Sequence, residues 1–140
     1  MAFKKAARVA GITLADLYWV IVQINLNIAD RTGVFTFYGW KDRATWQARG
    51  KADAATGEIN QPVPGAVKTY VVPGGAFDAL MAQYLGGWAP GKVPINLAAV
   101  LYSRAKATKD IGTPPATPID PDTRTSFWDG ATEIFEPGQG

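Results

Sequence analysis

The chain has no histidine and no cysteine among its 140 residues. Histidine is the side chain that titrates near neutral pH without special arrangement, and the cysteine thiolate is the nucleophile closest to active there. Their joint absence excludes imidazole acid–base catalysis, thiol nucleophiles and the common zinc ligands. Any catalysis would have to rest on carboxylate, lysine, serine, threonine or tyrosine chemistry. The expectation is a protein that binds or builds and is not an enzyme, with no catalytic residue, no cofactor and no metal ligand. With no cysteine there is no disulfide framework, and hence no redox argument for either compartment.

Long hydrophobic runs are also missing. The continuous apolar stretch Leu17 to Val22 is far short of the roughly 20 residues that cross a bilayer. The basic start, with Lys4, Lys5 and Arg8, resembles the first part of a signal peptide, but Asp16 interrupts what would be its apolar part. A membrane partner is not expected. The charge excess is equally small, 14 basic against 12 acidic residues spread along the chain, which is no footprint for a nucleic-acid backbone.

Aromatic residues, glycine and proline are present in quantity: 5 Trp, 5 Tyr and 6 Phe, with 15 Gly and 10 Pro. The length suits one packed domain with appendages, and the Gly and Pro content predicts short elements joined by long loops. The organisation expected is a basic N-terminal arm over residues 1–11, a compact domain over 12–111 and an extended Pro-rich C-terminal arm over 112–140.

Within the domain, Leu14, Tyr18, Val20, Val22, Ile24 and Leu26 recur with period two and predict a strand, with Trp19 and Ile21 on its other face. The polar stretch Asn27 to Thr32, ending in Gly33, leads to a second strand, Val34 to Trp40, so the two read as a hairpin. Lys41 to Gly50, with Trp46, suits a short helix, and Ala52 to Gly65 a loop. Ala66 to Val72 reads as a third strand, closed by Pro73-Gly74-Gly75. The period then changes: Phe77, Leu80, Met81, Tyr84 and Leu85 form one helical stripe stopped by Gly86-Gly87, which should pack on the sheet. After the loop Trp88 to Pro94, Asn96 can cap a second helix carrying Leu97, Val100, Leu101 and Tyr102, with Arg104, Lys106 and Lys109 towards its end. The predicted fold class is α+β: a small antiparallel β-meander of about three strands packed by two helices, with extended N- and C-terminal arms.

The C-terminal arm carries prolines at 114, 115, 118, 121 and 137, which disfavour a regular helix or central strand. It also carries Phe127, Trp128, Ile134 and Phe135, large apolar side chains that a solubilising linker has no use for. These four, with Phe3 of the N-terminal arm, are the predicted partner-binding residues. The competing reading is a tail folded back over its own core.

The acidic residues form no recognisable site. Counting from Asp120, the fifth and sixth positions of a calcium loop are Arg124 and Thr125, so the EF-hand pattern fails. No pair of acids is singled out by its spacing for glycoside hydrolysis. Pro73-Gly74-Gly75-Ala76 lacks the Lys-Ser/Thr of a P-loop, and a tight strand-to-helix turn is the better reading. Trp40, Trp46, Trp88 and Trp128 lie outside the predicted core and raise the alternative of a sugar-stacking or partner-filling surface.

The run Ile12-Thr13-Leu14-Ala15-Asp16-Leu17-Tyr18-Trp19-Val20-Ile21, then Phe37-Tyr38-Gly39-Trp40, Lys68-Thr69-Tyr70, Tyr102-Ser103-Arg104-Ala105-Lys106, Lys109-Asp110 and Ser126-Phe127-Trp128-Asp129-Gly130-Ala131, resembles small structural proteins of tailed-bacteriophage virions over most of residues 12–135. The stretch Ala52 to Gly65 has no counterpart in that resemblance. The resemblance implies a non-enzymatic virion component present in many copies: a tail, baseplate or fibre-attachment adaptor assembled in the host cytoplasm. Its partners would be other virion structural proteins and further copies of itself. The alternatives are a capsid decoration or head-completion protein, built on the same physics, and a carbohydrate-binding module for host recognition. A carboxylate-based hydrolase would need two acids in one cleft.

Overall fold

The computed structural model describes residues 2–86 and 96–134. Eight elements follow one another: β1 (Ala2–Val9), β2 (Ile12–Asn27), β3 (Thr32–Trp40), α1 (Arg43–Gln47), β4 (Val67–Pro73), α2 (Gly74–Gly86), α3 (Leu97–Ala107) and β5 (Thr132–Ile134). The strands form a single antiparallel sheet in the order β4-β3-β2-β1-β5. The architecture remains broadly α+β, but the three-strand meander with two helices and extended arms is corrected to five strands and three helices among the described residues.

The two additional strands come from the segments expected to be arms. In β1, Phe3, Ala7 and Val9 join the core while Lys4, Lys5 and Arg8 alternate around them, so the charges hide a strand pattern whose apolar positions are mostly small. A two-residue turn, Ala10 at φ 51° and Gly11 at φ 80°, joins β1 to β2, and positive φ at both positions matches the twist of a tight hairpin. The strand β5 has only 3 residues and forms by pairing Ala2 with Ile134 and Lys4 with Thr132. So short a segment carries no periodicity of its own; its partner defines it.

The hairpin of β2 and β3 is present, from Tyr18 opposite Trp40 to Asn27 opposite Thr32. Asn27 Oδ1 accepts from the Asp30 N–H at 3.0 Å and closes its turn. The single period-two face predicted for β2 is corrected by two bulges. One lies between Leu14 and Leu17, where Asp16 takes φ 55°; the other lies at Val22, between Ile21 and Gln23. Each extra residue exchanges the two faces. Tyr18 and Val20 therefore lie in one hydrophobic cluster, while Leu14, Ile24 and Leu26 join Trp19 and Ile21 in the other.

That larger cluster fills the space between one sheet face and the helices. Phe35, Phe37, Tyr70 and Val72 rise from β3 and β4, and Phe77 and Leu80 of α2 with Leu101, Tyr102 and Ala105 of α3 cover them. Phe77, Leu80 and Met81 of the α2 stripe thus pack as their spacing predicts, whereas Tyr84 joins neither hydrophobic cluster; the side chain of Leu85, together with Trp88 and Phe135, lies outside the described residues. Asn96 caps α3, its side chain accepting from the Ala99 N–H at 3.1 Å. The opposite sheet face is covered at one corner by α1 and its following loop, and the outward side chains Val67 and Val71 of β4 are 48% and 55% exposed.

Candidate binding site

The predicted partner-binding residues converge, and most of them converge inward. Phe3 and Trp128 are 0% and 1% exposed, with ring centroids 4.8 Å apart. Phe3 also meets Phe37 at 5.9 Å and Tyr102 at 5.1 Å. The Trp128 Nε1–H donates to the Tyr70 hydroxyl at 2.7 Å, so the indole is buried with its polar atom satisfied. Phe127 is half-buried, its ring against Trp19 at 5.5 Å and the Lys68 ammonium 4.6 Å from its centre. Ile134 is half-buried beside Ala2, Tyr18, Val20 and Trp40. In this conformation Phe3, Trp128, Phe127 and Ile134 serve the chain's own core, the fold-back arrangement.

The segment that carries Trp128 is tied down by polar contacts. Ile111 and Thr125 exchange two backbone bonds of 2.9 Å, Asp110 Oδ1 accepts from the Phe127 N–H at 2.8 Å, and Lys106 bonds Glu133 at 2.6 Å. Between Ile111 and Thr125 the chain makes a closed excursion over the surface. Its most exposed apolar residue is Ile119, at 93%.

A different site lies on the other sheet face, where sequence reasoning noted Trp40 and Trp46 without joining them. Asp42 caps α1, accepting from the Thr45 N–H and hydroxyl at 2.7 Å each, and these bonds hold its carboxyl below the ordinary range. The helix so placed sets Trp46 edge-on to Trp40, with centroids 5.3 Å apart. The Arg49 guanidinium stacks 3.8 Å over the Trp46 ring and donates to the Trp46 carbonyl at 3.0 Å. Asn60 ties the following loop to the helix end through the Ala48 and Lys51 carbonyls, and the Val63 N–H reaches the Gly39 carbonyl at 2.8 Å.

Between these walls is a cleft of about 440 Å³, floored by the bulge residue Val22 and lined by Tyr38, Trp40, Trp46, Arg49 and Pro62. This volume is ordinary for a ligand pocket. Its side chains bring indole and guanidinium donors and the Tyr38 hydroxyl, which both donates and accepts, but no carboxylate and no carboxamide. Trp40 is 5% exposed, and its Nε1–H is a buried polar group with no hydrogen-bond partner among the described residues. A buried donor left unpaired costs on the order of 1–3 kcal/mol, a cost the packing of Trp40 against Ala2, Tyr18 and Val20 has to offset. Arg49 covers one face of Trp46 and Trp40 is buried, which leaves Tyr38 and the other face of Trp46 as the aromatic surface of the cleft.

Among the described residues no group of three or more acidic side chains is placed to hold a metal ion, and no helix is long and apolar enough to cross a membrane. The carboxylates whose ionisation is displaced are held down by structural bonds: Asp42 by Thr45, Asp53 by the Ala55 and Thr56 N–H groups, Asp78 by Arg31, and Asp122, at about 2, by Arg124. The fold and site together define a one-sheet α+β domain whose core is closed by its first strand and a late segment, with an aromatic cleft on the outer face. No protein-family profile, curated protein or solved structure matches this chain.

Proposed function

We propose that this chain is a non-enzymatic structural component of a tailed-phage virion, an adaptor of the tail, baseplate or fibre-attachment region that interlocks with neighbouring subunits. The observation that carries this reading is how the core is completed. Phe3 and Trp128, from segments 125 positions apart in number, fill its centre together, and β1 and β5 pair beside them. An element that plugs its own domain can plug the equivalent cavity of an identical neighbour through the same contacts, which is the basis of strand and domain exchange. In a multi-copy assembly the high local concentration of neighbours favours that exchange without any new contact. On this reading β1 and the segment 111–134 are the interlocking parts, closed on their own domain in the free chain and passed to the next copy in the particle. The lack of histidine and cysteine and the resemblance to virion structural proteins support the same assignment.

Cryo-electron microscopy of particles carrying this chain tests it. Density at the tail or baseplate is expected, with residues 111–134 of one copy seated on the core of another. Density on the capsid lattice would move the protein to the decoration or head-completion alternative, and absence from the particle would overturn a virion role.

A further inference from the structure

The cleft beside Trp40 has aromatic and apolar walls and a single cation, Arg49. Its polar side-chain groups are the guanidinium, the indoles and the Tyr38 hydroxyl, so donors outnumber acceptors. A sugar brings hydroxyl groups that donate as well as accept, and here they would meet no carboxylate or carboxamide. A proline-rich segment brings the complement: carbonyl acceptors, few N–H donors, and flat rings that pack on tryptophan and tyrosine.

The chain carries such a segment, held away from its core. Between the paired residues Ile111 and Thr125 lies Thr113-Pro114-Pro115-Ala116-Thr117-Pro118-Ile119-Asp120. Its second half is a turn, closed by the Asp120 N–H to the Thr117 carbonyl at 3.1 Å and the Thr117 N–H to the Asp120 carboxylate at 3.0 Å. Pro118 and Ile119 stand at the corner, and Ile119 is 93% exposed. A loop tied at its base and turned at its tip is ordered before it binds, which lowers the entropy cost of association. Charge also matches, since Arg49 at the cleft is exposed and Asp120 is carried on the loop.

We infer that the aromatic cleft is a docking site for the proline-rich 113–120 loop of a second copy of this chain. Cleft and loop are different surfaces, so two copies can exchange loops reciprocally in a two-fold dimer or link head-to-tail into a ring or fibre. The inference deepens the assembly reading and rests on it for its setting, yet it is measured on the isolated full-length chain.

The probe is a synthetic peptide of residues Thr113 to Asp120, cyclised end to end in place of the Ile111–Thr125 tie, added to chain labelled at its tryptophan indoles and followed by nuclear magnetic resonance. The expected result is movement of the Trp40 and Trp46 indole signals. The apparent dissociation constant should be weaker by about tenfold or more when the three peptide prolines are replaced by alanine, a comparison that leaves the protein unchanged. Arg49→Ala, an exposed substitution, should weaken binding of the parent peptide. In sedimentation equilibrium, Ile119→Ala should lower the weight-average mass of the concentrated chain. No movement of either signal at about 1 mM peptide, the weak end of specific affinities, overturns the inference. So does equal response to the proline-free peptide, or response to a neutral oligosaccharide alone. Absence of the chain from virions would end the virion reading and leave this result standing.

Discussion

Trp128 shows most directly how one residue holds this protein together. Its ring is 1% exposed among Phe3, Phe37 and Trp19, and its indole N–H is bonded to Tyr70. Trp128→Ala removes the ring and leaves a cavity, so a loss of about 3–5 kcal/mol is expected in urea unfolding. Trp128→Phe, which keeps a ring but loses the donor, should cost less; equal costs would show that the hydrogen bond and not the packing dominates. Tyr102 has the same character on α3, where its hydroxyl accepts from the Ile21 N–H at 2.9 Å. Burial raises its ionisation to about 12 from 10.0, although the Ile21 bond works in the opposite direction, and Tyr70 is raised as well. The folded state therefore favours the neutral phenol. This stability is fully present below pH about 10 and is lost as pH rises through about 12. Alkaline titration followed by near-ultraviolet circular dichroism should show unfolding in that window, with a shallower slope for Tyr102→Phe.

At the scale of elements, local chemistry explains some boundaries completely and others hardly at all. The helix α3 begins at a side-chain cap and carries Arg104 and Lys106 in its last turn, so a few adjacent residues announce it. The β1–β2 turn is quieter. Ala10 adopts φ 51°, a left-handed conformation that costs an L-residue with a Cβ roughly 1–2 kcal/mol. Asn tolerates that region better and forms the Asn-Gly pair preferred in two-residue hairpins, so Ala10→Asn should stabilise the fold by about 0.5–1 kcal/mol in thermal unfolding. A lower melting temperature would mean that the turn differs from the one described. Gly39 is constrained from outside: an added Cβ would lie 2.9 Å from the Ala66 Cβ and 3.2 Å from the Trp19 ring. Gly39→Ala is expected to cost about 1–3 kcal/mol through that overpacking, read as a lower urea midpoint.

For the molecule as a whole, stability should be graded from the sheet centre outwards. Hydrogen exchange is expected to be slowest in the central pairing of β2 with β3 and fastest in the 3-residue β5. Because β1 is held to the core by Phe3 packed on Trp128, whereas β4 keeps Tyr70 stacked on Phe35 and Val72 in the core with α2, Trp128→Ala should reduce protection in β1 more than in β4. Uniform loss across all strands would instead indicate one indivisible unit, and would count against a segment 111–134 that can leave its own domain. That graded coupling is what an interlocking subunit requires: a framework that stays folded while one plug is passed to a neighbour.

By itself the sequence determined the chemical inventory, because missing side chains stay missing in any fold, and it determined the elements whose signals are local. The β2–β3 hairpin, the apolar stripe of α2 and the Asn96 cap all follow from residues a few positions apart. Tertiary structure decided what depends on distant partners. The two bulges exchange the faces of β2, which no period-two count registers, since the residue that interrupts the period is chosen by the strand opposite. The strands β1 and β5 exist through pairing, so charged Lys4 and Lys5 or the three residues at 132–134 could not announce them. Phe3 and Trp128 are equally apolar on any partner, and only the closed core put them beside each other. The cleft likewise joins the end of β3, the helix α1 and the loop at Pro62, because Trp40 and Trp46 become one wall only when the sheet supplies the floor.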